Sequence, residues 1–330
     1  MKFARRSGLT VFAAFVITVA PTPFARAQDS FVSAAQRQFD GGDYTGAVNT
    51  LRSGIGTKSQ NAEAYYWLCR SFYELREFDN AISNCEQAVQ YAPQHSDYHM
   101  WLGRAYGEKA EQESSFLVAR KVKHEFEEAV RLNPRNIPAR RDLAEFDAEA
   151  PWIVGGSKDA AKQQVDAIAT LDPVQGHLAR AQFWADEKRV DSADAECRMA
   201  LAAKPADPNV YFEVADFYAA LSRAPELKSA VDGAAALRPN DPRLTFYRGV
   251  ENFLAGAMPQ AEQNLKSYLA STPDRSDWPS HASAREWLGR LYESEGKRPE
   301  AAEEYRAALQ LEPKRASARD RLKKLEQGAK

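Results

Sequence analysis

The five histidines are the residues of this chain best suited to metal binding or acid–base catalysis. They are His95, His99, His124, His177 and His281. His95 and His99 are four residues apart, a spacing that brings two imidazoles to one metal ion only on a continuous helix. We expect a turn between them, because one repeated segment ends at His95 and the next has begun by His99. His99 and His177 also share one position of the repeat described below, which favours a packing role.

A glycine-rich segment, Gly155-Gly156-Ser157-Lys158, suggests phosphate binding at first sight. It lacks the spaced glycine that precedes Gly-Lys-Ser in a phosphate-binding loop. We interpret it as a loop before a helix, with Ser157 or Asp159 near the first turn. No nucleophile elbow and no grouping of serine, histidine and carboxylate stands out in the sequence. The prediction is therefore a non-enzymatic protein without cofactor or metal, and an enzyme with an unrecognised site is the remote alternative.

The first 27 residues have the pattern of a cleaved secretory signal. Lys2, Arg5 and Arg6 form a basic start, residues 9–20 form a short apolar run, and Ala25-Arg26-Ala27 precedes the expected cleavage point. The apolar run is too short to span a bilayer, and no second long apolar segment follows. We therefore predict an exported chain that is soluble in the periplasm or secreted.

The charge balance argues against nucleic acid as the partner. The full sequence has 44 basic and 46 acidic residues; without the four basic residues of the signal, 40 face 46, a net charge of −6. Proteins that bind nucleic acid usually present a basic surface to the phosphates. We expect no nucleic acid and no transmembrane segment in the mature chain.

An internal repeat extends over nearly the whole mature chain. Residues 286–292 are followed by Gly296, Ala301, Tyr305, Ala308 and Pro313, and residues 65–72 by Ala81, Cys85, Ala88 and Pro93 at matching offsets. Prolines that end the units lie at Pro93, Pro134, Pro173, Pro205, Pro239, Pro273 and Pro313, with spacings of 41, 39, 32, 34, 34 and 40 residues. Such a period indicates stacked copies of one supersecondary unit.

This pattern resembles the tetratricopeptide repeat family, whose unit is helix–turn–helix. The resemblance implies an all-α fold, an α-solenoid of about eight tandem repeats that form a right-handed superhelix over residues 28–315. Units are expected to start near residues 28, 62, 96, 137, 174, 208, 242 and 282. Residues 316–330 are predicted to be a capping helix and tail, since a solenoid must cover its last apolar face. The alternative is an ordinary helical bundle.

The resemblance also implies where a partner would bind, because the first helix of each unit lines the concave surface in this family. Helical spacing selects a protein-binding face of Tyr66, Arg70, Tyr73, Met100, Arg104, Arg141, Phe212, Phe246, Phe253 and Arg290. Aromatic residues and arginines often carry the binding energy of interfaces. Two alternatives stay open: the phenylalanines pack between units, and Arg70 and Arg104 pair with Glu74 and Glu108 along their helices.

Insertions into the repeat carry two tryptophans, Trp152 and Trp278. If exposed, they would be anchors for a ligand; if folded back, they would cover the ends of units. Their exposure would favour the alternative function, a module that binds envelope polysaccharide or a small ligand.

Two cysteines, Cys69 and Cys85, occupy inward positions on the two helices of one unit. We favour two unbonded core residues, with a disulfide as the alternative that an oxidising compartment allows. Cys197 repeats the position of Cys85, so we expect an unpaired core residue there.

The sequence as a whole predicts an exported scaffold that binds a protein partner, as a peptide segment or a folded domain, through the concave face. Its expected setting is the assembly of a cell-envelope complex. Self-association stays open as a further mode of binding.

Overall fold

The computed structural model describes residues 23–56 and 60–327, with side chains from residue 31 onward. Within these residues it contains seventeen α-helices and no β-strand, which confirms the predicted all-α class. The helices are α1 (Pro23–Asp40), α2 (Tyr44–Ile55), α3 (Ala62–Glu74), α4 (Phe78–Tyr91), α5 (Ser96–Glu113), α6 (Phe116–Leu132), α7 (Ile137–Glu149), α8 (Lys158–Leu171), α9 (Pro173–Asp186), α10 (Val190–Ala202), α11 (Pro208–Ala220), α12 (Ala224–Leu237), α13 (Arg243–Leu254), α14 (Met258–Ser271), α15 (His281–Ser294), α16 (Arg298–Leu311) and α17 (Ala316–Gln327).

The predicted signal segment lies mostly outside the described residues. The first described helix begins at Pro23, ahead of the expected cleavage point after Ala27. Of the helices that the structure describes, none has the length and apolar character needed to cross a membrane.

The helices pack as eight successive hairpins, each made of an odd-numbered helix and the even-numbered helix that follows it. Contacts within a hairpin and between neighbouring hairpins dominate the tertiary structure. Helix α17 packs on α16 and covers the last hairpin, with Ala318 buried and Leu322 and Leu325 against the core. The architecture is a solenoid with a C-terminal cap, as the repeat predicts.

Local sequence explains where these helices begin and turn. The side-chain oxygens of Asn61, Asn136 and Asp207 accept hydrogen bonds from amides of the first turn and so cap α3, α7 and α11. Between the two helices of a hairpin, one residue takes the left-handed backbone conformation that reverses the chain. Gly42, Gly256 and Gly296 adopt it without strain, while Arg76, Lys188 and Ser222 adopt it in other hairpins.

Small residues let the two helices of a hairpin approach closely. A Cβ atom on Gly103 would lie 2.5 Å from the ring of Phe126, and one on Gly289 would lie 2.5 Å from the ring of Tyr305. Cys69 occupies the equivalent position in the second hairpin. The structure joins it to Cys85 by a disulfide across α3 and α4, with 5.1 Å between the Cα atoms, where we had favoured unbonded residues. Cys197 is buried and free.

Three insertions depart from the repeat. The first lengthens α5 and α6 to 18 and 17 residues. The second, residues 150–157, contains a short 3-10 helix at Trp152–Val154; we call it the outer loop. The third, residues 272–280, connects α14 to α15; we call it the strap loop. The strap loop reaches the first two hairpins. The hydroxyl of Tyr44 in the first hairpin donates to the carbonyl of Asp274 at 3.2 Å, and the amide of Ser276 donates to Glu74 in the second.

Candidate functional site

Helices α3, α5, α6 and α7, together with the outer loop and the strap loop, surround a cavity of about 990 Å³. Its walls combine aromatic rings with carboxylates: Tyr73, Trp101, Phe116, Phe126 and Phe146, and Glu74, Glu108, Glu145 and Glu149. A neighbouring cavity of about 610 Å³ shares Arg104, Asp142 and Glu145 with it. Together they make a mixed apolar and acidic groove along the inner surface of the second to fifth hairpins, which we call the inner groove.

Arg70 lies at the head of the inner groove among aromatic rings. Its guanidinium carbon is 4.6 Å from the ring centre of Phe39, 4.7 Å from that of Trp67 and 4.6 Å from that of Trp101. Such contacts stabilise a cation without neutralising its charge. Its Nε atom is buried without a hydrogen-bond partner. Pairing with Glu74, one of the alternatives considered from the sequence, is wrong because Glu74 binds the strap loop instead.

Arg104 and Arg141 are held by carboxylates of other hairpins. The Nε of Arg104 donates to Asp142 at 2.6 Å. The alternative that Arg104 pairs with Glu108 is therefore wrong. Glu108 instead accepts a hydrogen bond from the hydroxyl of Tyr73 at 3.1 Å. Arg141 donates two hydrogen bonds to Glu213, at 2.9 and 2.6 Å. These arginines connect hairpins across the inner face, so they are less available to a partner than Arg70.

Three residues predicted for the binding face are core residues. Met100 is 6 % exposed, and Phe212 and Phe246 are each 3 % exposed. Phe212 stacks on Tyr247 with 5.3 Å between ring centres, and Phe246 packs against Tyr268. The prediction that these side chains face a partner is wrong, and the alternative that the phenylalanines pack between units is confirmed for Phe212, which lies against Tyr247 of the next hairpin.

The C-terminal part of the inner face keeps Phe253 and Arg290 accessible. Phe253 is half-buried beside Trp287, and the guanidinium of Arg290 lies 3.7 Å from the ring centre of Trp287. Arg290 forms a 3.3 Å hydrogen bond with the hydroxyl of Ser222. Burial, and then the charge of Arg321, lower the pKa of Arg290. The arrangement repeats the motif at Arg70, a cation supported by rings. Tyr66, also predicted for this face, is half-buried and stacks on Tyr98.

Carboxylates along the groove resist ionisation. The pKa of Glu145 is raised to about 7, first by its recessed position and then by Glu149, Asp142 and Asp186. The Glu145 side chain is still open to the groove, so this burial is that of a recess and not of a packed core. The pKa of Asp216, farther along the inner face, is likewise raised to about 7, chiefly by burial. The groove therefore gains negative charge as the pH rises through neutrality.

The two histidines that share one position of the repeat, His99 and His177, have structural partners. The Nδ1 atoms of His99 and His177 each lie 2.6 Å from a carboxylate of the second helix in their hairpin, Glu125 and Glu196. His95 precedes α5 and stacks on Tyr98, so it is not on one helix with His99. Among the described residues no group of three or more histidine, cysteine or acidic side chains has the geometry of a metal site.

The two inserted tryptophans differ in exposure. Trp152 of the outer loop is 84 % exposed, and it is joined at this corner by exposed Phe116, Leu117 and Ile153. The Nη2 of Arg120 donates to the carbonyl of Ile153 at 3.2 Å and so ties the outer loop to α6. Trp278 of the strap loop is half-buried on the inner face. Sequence reasoning missed Phe116, Leu117 and Ile153, because apolar residues at helix ends are usually covered.

Comparison with known proteins agrees with this architecture. Residues 32–84, 69–121 and 274–316 match a family model described as the tetratricopeptide repeat. A search of curated proteins found no match.

Solved structures share the fold. A chain of the APC/C hetero-tetramer Cut9–Hcn1 is similar with a TM-score of 0.50 and 14% identity, over 92% of this chain and 57% of that chain. A monomeric mutant of IFIT1 with m7Gppp-AAAA has a TM-score of 0.50 and 18% identity, over 74% of this chain and 55% of that chain. A thermophilic tetratricopeptide repeat protein of Thermus thermophilus has a TM-score of 0.46 and 18% identity, over 68% of this chain and 98% of that chain.

The fold defines a class first: a helical-repeat solenoid with an accessible inner face. Three segments of the chain match the tetratricopeptide repeat model, and the hairpins between them have the same helix–turn–helix form. Proteins of this kind typically mediate protein–protein interactions through their stacked helices.

Proposed function

We propose that this protein is a non-enzymatic scaffold whose inner groove binds a segment of a protein partner. The observation that carries the proposal is Arg70, a cation on three aromatic rings at the head of a cavity of about 990 Å³. Arginine and tryptophan are the residues most enriched in binding hot spots. A partner carboxylate would find at Arg70 a guanidinium that pairs with no carboxylate among the described residues.

The chemistry of the remaining lining describes the rest of the partner segment. Apolar side chains would fit between Trp101, Phe126 and Phe146, which line the cavity. Basic side chains would fit beside Glu145 and Glu149, whose ionisation is suppressed while the groove is empty. A segment of mixed apolar and charged residues, bound in an extended or helical form, satisfies both requirements.

Export to the cell envelope is the second part of the proposal. It is supported by the signal pattern at residues 1–27 and by the disulfide between Cys69 and Cys85. Disulfides persist in the periplasm and outside the cell and are rare in the reducing cytosol. In that setting the scaffold would serve the assembly or stabilisation of an envelope complex. Fractionation of cells that express the full chain tests this part: the shortened protein should appear outside the cytoplasm, and retention of the full-length chain in the cytoplasm would reject it.

The inner face is tested by crosslinked capture of partners with two variants, Arg70→Gln in the inner groove and Arg290→Gln in the C-terminal part of the inner face. The matched control is Arg131→Gln, since Arg131 lies exposed on α6 and bonds only to Glu128 of its own helix among the described contacts. Circular dichroism would first establish that all three variants fold. We expect a partner to be lost from Arg70→Gln and retained by Arg131→Gln. Equal recovery from wild type and Arg70→Gln would refute the inner groove as the binding site, and a loss confined to Arg290→Gln would move the site to the C-terminal part of the inner face.

A second candidate function, binding of an envelope polysaccharide, is favoured by one observation, the exposure of Trp152. Exposed tryptophan is suited to stacking on an apolar face of a ligand. Titration with polysaccharide should then change tryptophan fluorescence in the wild type and not in Trp152→Ala. No change in either protein would leave the protein-binding scaffold as the proposal.

A further inference from the structure

The strap loop lies against the inner face of the first two hairpins, where it makes a set of specific contacts. The amide of Ser276 donates to Glu74 at 2.8 Å, and its hydroxyl donates to the other carboxylate oxygen at 2.7 Å. Two hydrogen bonds to one carboxylate are a directional arrangement and stronger than bonds between neutral groups. The loop therefore engages Glu74 as a ligand would.

Contacts on both sides of Ser276 fix the path of the loop. The hydroxyl of Tyr44 donates to the carbonyl of Asp274, and Arg275 donates to the carbonyl of Asp40 at 3.3 Å. Pro273 packs on Gly42 so closely that a Cβ atom there would lie 2.2 Å from the Cβ of Pro273. The absence of a side chain at Gly42 is thus part of the fit between hairpin and loop.

The other end of the strap loop is held by its own hairpin. The hydroxyl of Tyr268 donates to the carbonyl of Pro279 at 2.6 Å, and the amide of His281 donates to Asp274 at 2.9 Å. The guanidinium of Arg275 lies 5.0 Å from the ring centre of Trp278 and also pairs with Asp277. The loop is consequently a structured segment, with its donors directed at the first two hairpins.

We propose that the strap loop is an intramolecular occupant of a peptide-binding surface, and that a partner segment binds there by displacing it. The surface consists of Glu74, Tyr44, Gly42 and the carbonyl of Asp40. The partner segment it fits is extended, with backbone and hydroxyl donors for Glu74, an arginine for Asp40, and a small or proline residue over Gly42. The inference rests on the proposed function, since it assigns part of the inner face to a protein segment.

The position of this surface connects it to the inner groove. Glu74 and Ser276 both line the cavity of about 990 Å³ that Arg70 heads. A segment that enters the inner groove in the direction of the first hairpin therefore meets the strap loop. The apparent affinity of that segment would be proportional to the fraction of molecules in which the strap loop is open.

The test uses a labelled peptide with the sequence of residues 272–280 and the full mature chain. One variant weakens the loop, Arg275→Ala with Ser276→Ala; the matched control removes the same residue types from exposed helix positions, Arg131→Ala with Ser229→Ala. We expect the peptide to bind the weakened variant at least about tenfold tighter than the wild type or the control, because the surface is free. Adding Glu74→Ala to the weakened variant should abolish the gain.

Hydrogen exchange provides a readout that needs no peptide. In the weakened variant, amides around residues 40–44 and 272–280 should exchange faster together, while α9 to α12 keep their protection. Equal peptide affinity for wild type and weakened variant, or a gain that survives Glu74→Ala, would overturn the proposal. If the crosslinked capture recovers no partner through the inner groove, the proposed function is refuted. The result of the peptide test does not depend on that outcome.

Discussion

The outer loop and the strap loop are both insertions into the same repeat, and both carry a tryptophan, yet they end in opposite environments. Trp152 projects outward at 84 % exposure, whereas Trp278 is half-buried with the guanidinium groups of Arg275 and Arg243 at 5.0 and 5.7 Å from its ring centre. Among the described residues, the hydrogen bonds of the outer loop are with α6, α7 and α8, which are close to it in sequence. The strap loop contacts hairpins more than two hundred residues away. Both loops carry a tryptophan, so composition does not explain this difference. The winding of the solenoid brings the strap loop, and not the outer loop, against distant hairpins.

The anchor of the strap loop should give the largest effect. Tyr268 is fully buried and its hydroxyl holds the carbonyl of Pro279. Replacement by alanine removes a large core side chain and should lower the free energy of unfolding by about 3–5 kcal/mol. Urea denaturation followed by circular dichroism measures this loss. Tyr268→Phe is the control, because it keeps the packing and should cost about 1 kcal/mol through the lost hydrogen bond.

The outer loop has a polar anchor of intermediate strength. The ammonium group of Lys123 lies 2.9 Å from Asp147, whose side chain is buried, and it also donates to the carbonyl of Gly155. Lys123→Met would leave a buried carboxylate without its cation and should cost about 2–3 kcal/mol, moderated because Lys123 is partly exposed. The midpoint of thermal unfolding reports the change. A midpoint equal to that of the wild type would mean that Asp147 finds another donor or that the loop needs no anchor.

Gly42→Ala should have a smaller effect that is specific to the strap loop. The backbone of Gly42 has φ near +80°, and alanine there should cost about 1 kcal/mol before any clash. Gly256 has the same φ with open space around a built Cβ, so Gly256→Ala isolates the backbone cost. We expect Gly42→Ala to be the more destabilising of the two and to speed hydrogen exchange in the strap loop. Equal destabilisation by both would show that Pro273 moves aside freely.

Substitution of the two tryptophans should distinguish the two loops with the smallest changes in the free energy of unfolding. Trp152→Ala should change the free energy of unfolding by no more than about 0.5 kcal/mol, since an exposed side chain contributes little to stability. Trp278→Ala should cost about 1 kcal/mol through the lost contacts with two guanidinium groups. Chemical denaturation of both variants side by side provides the comparison. A larger loss in Trp152→Ala than in Trp278→Ala would contradict the assignment of an outward and an inward loop.

The inner surface between the two loops should also respond to pH. Glu145 and Asp216 have pKa values raised to about 7, so the folded state binds protons that the unfolded state has released. The free energy of unfolding should therefore fall as the pH rises from about 4.5 to about 7, and level off above that range. Denaturation midpoints between pH 5 and pH 8 measure this slope. Glu145→Gln should flatten it, whereas an unchanged slope would place the titration elsewhere.

Much of the fold follows from short-range sequence features. The spacing of the prolines that end the units predicts a series of stacked helical hairpins, which the structure shows. The sequence leaves open whether Phe212 and Phe246 face a partner or pack in the core, because helical spacing shows only the side of the helix on which they lie. The two possibilities for Arg104, contact with a partner or pairing with Glu108 of its own helix, do not include Asp142 of the next hairpin, to which it binds. Helical spacing predicts the side of the helix on which a residue lies. It does not predict which side chains of the neighbouring hairpin lie against that residue.

The hydrogen bonds of the strap loop also bear on the order in which the molecule folds. Stacked repeats fold through short-range contacts, and such contacts form early because little chain entropy is lost in closing them. The bonds from Tyr44 to Asp274 and from Ser276 to Glu74 join residues 230 and 202 positions apart. They can form only when every hairpin between them has taken its place. We therefore expect closure of the strap loop to follow the stacking of these hairpins, and protection at Ser276 would then signal that the chain from the first to the seventh hairpin is complete.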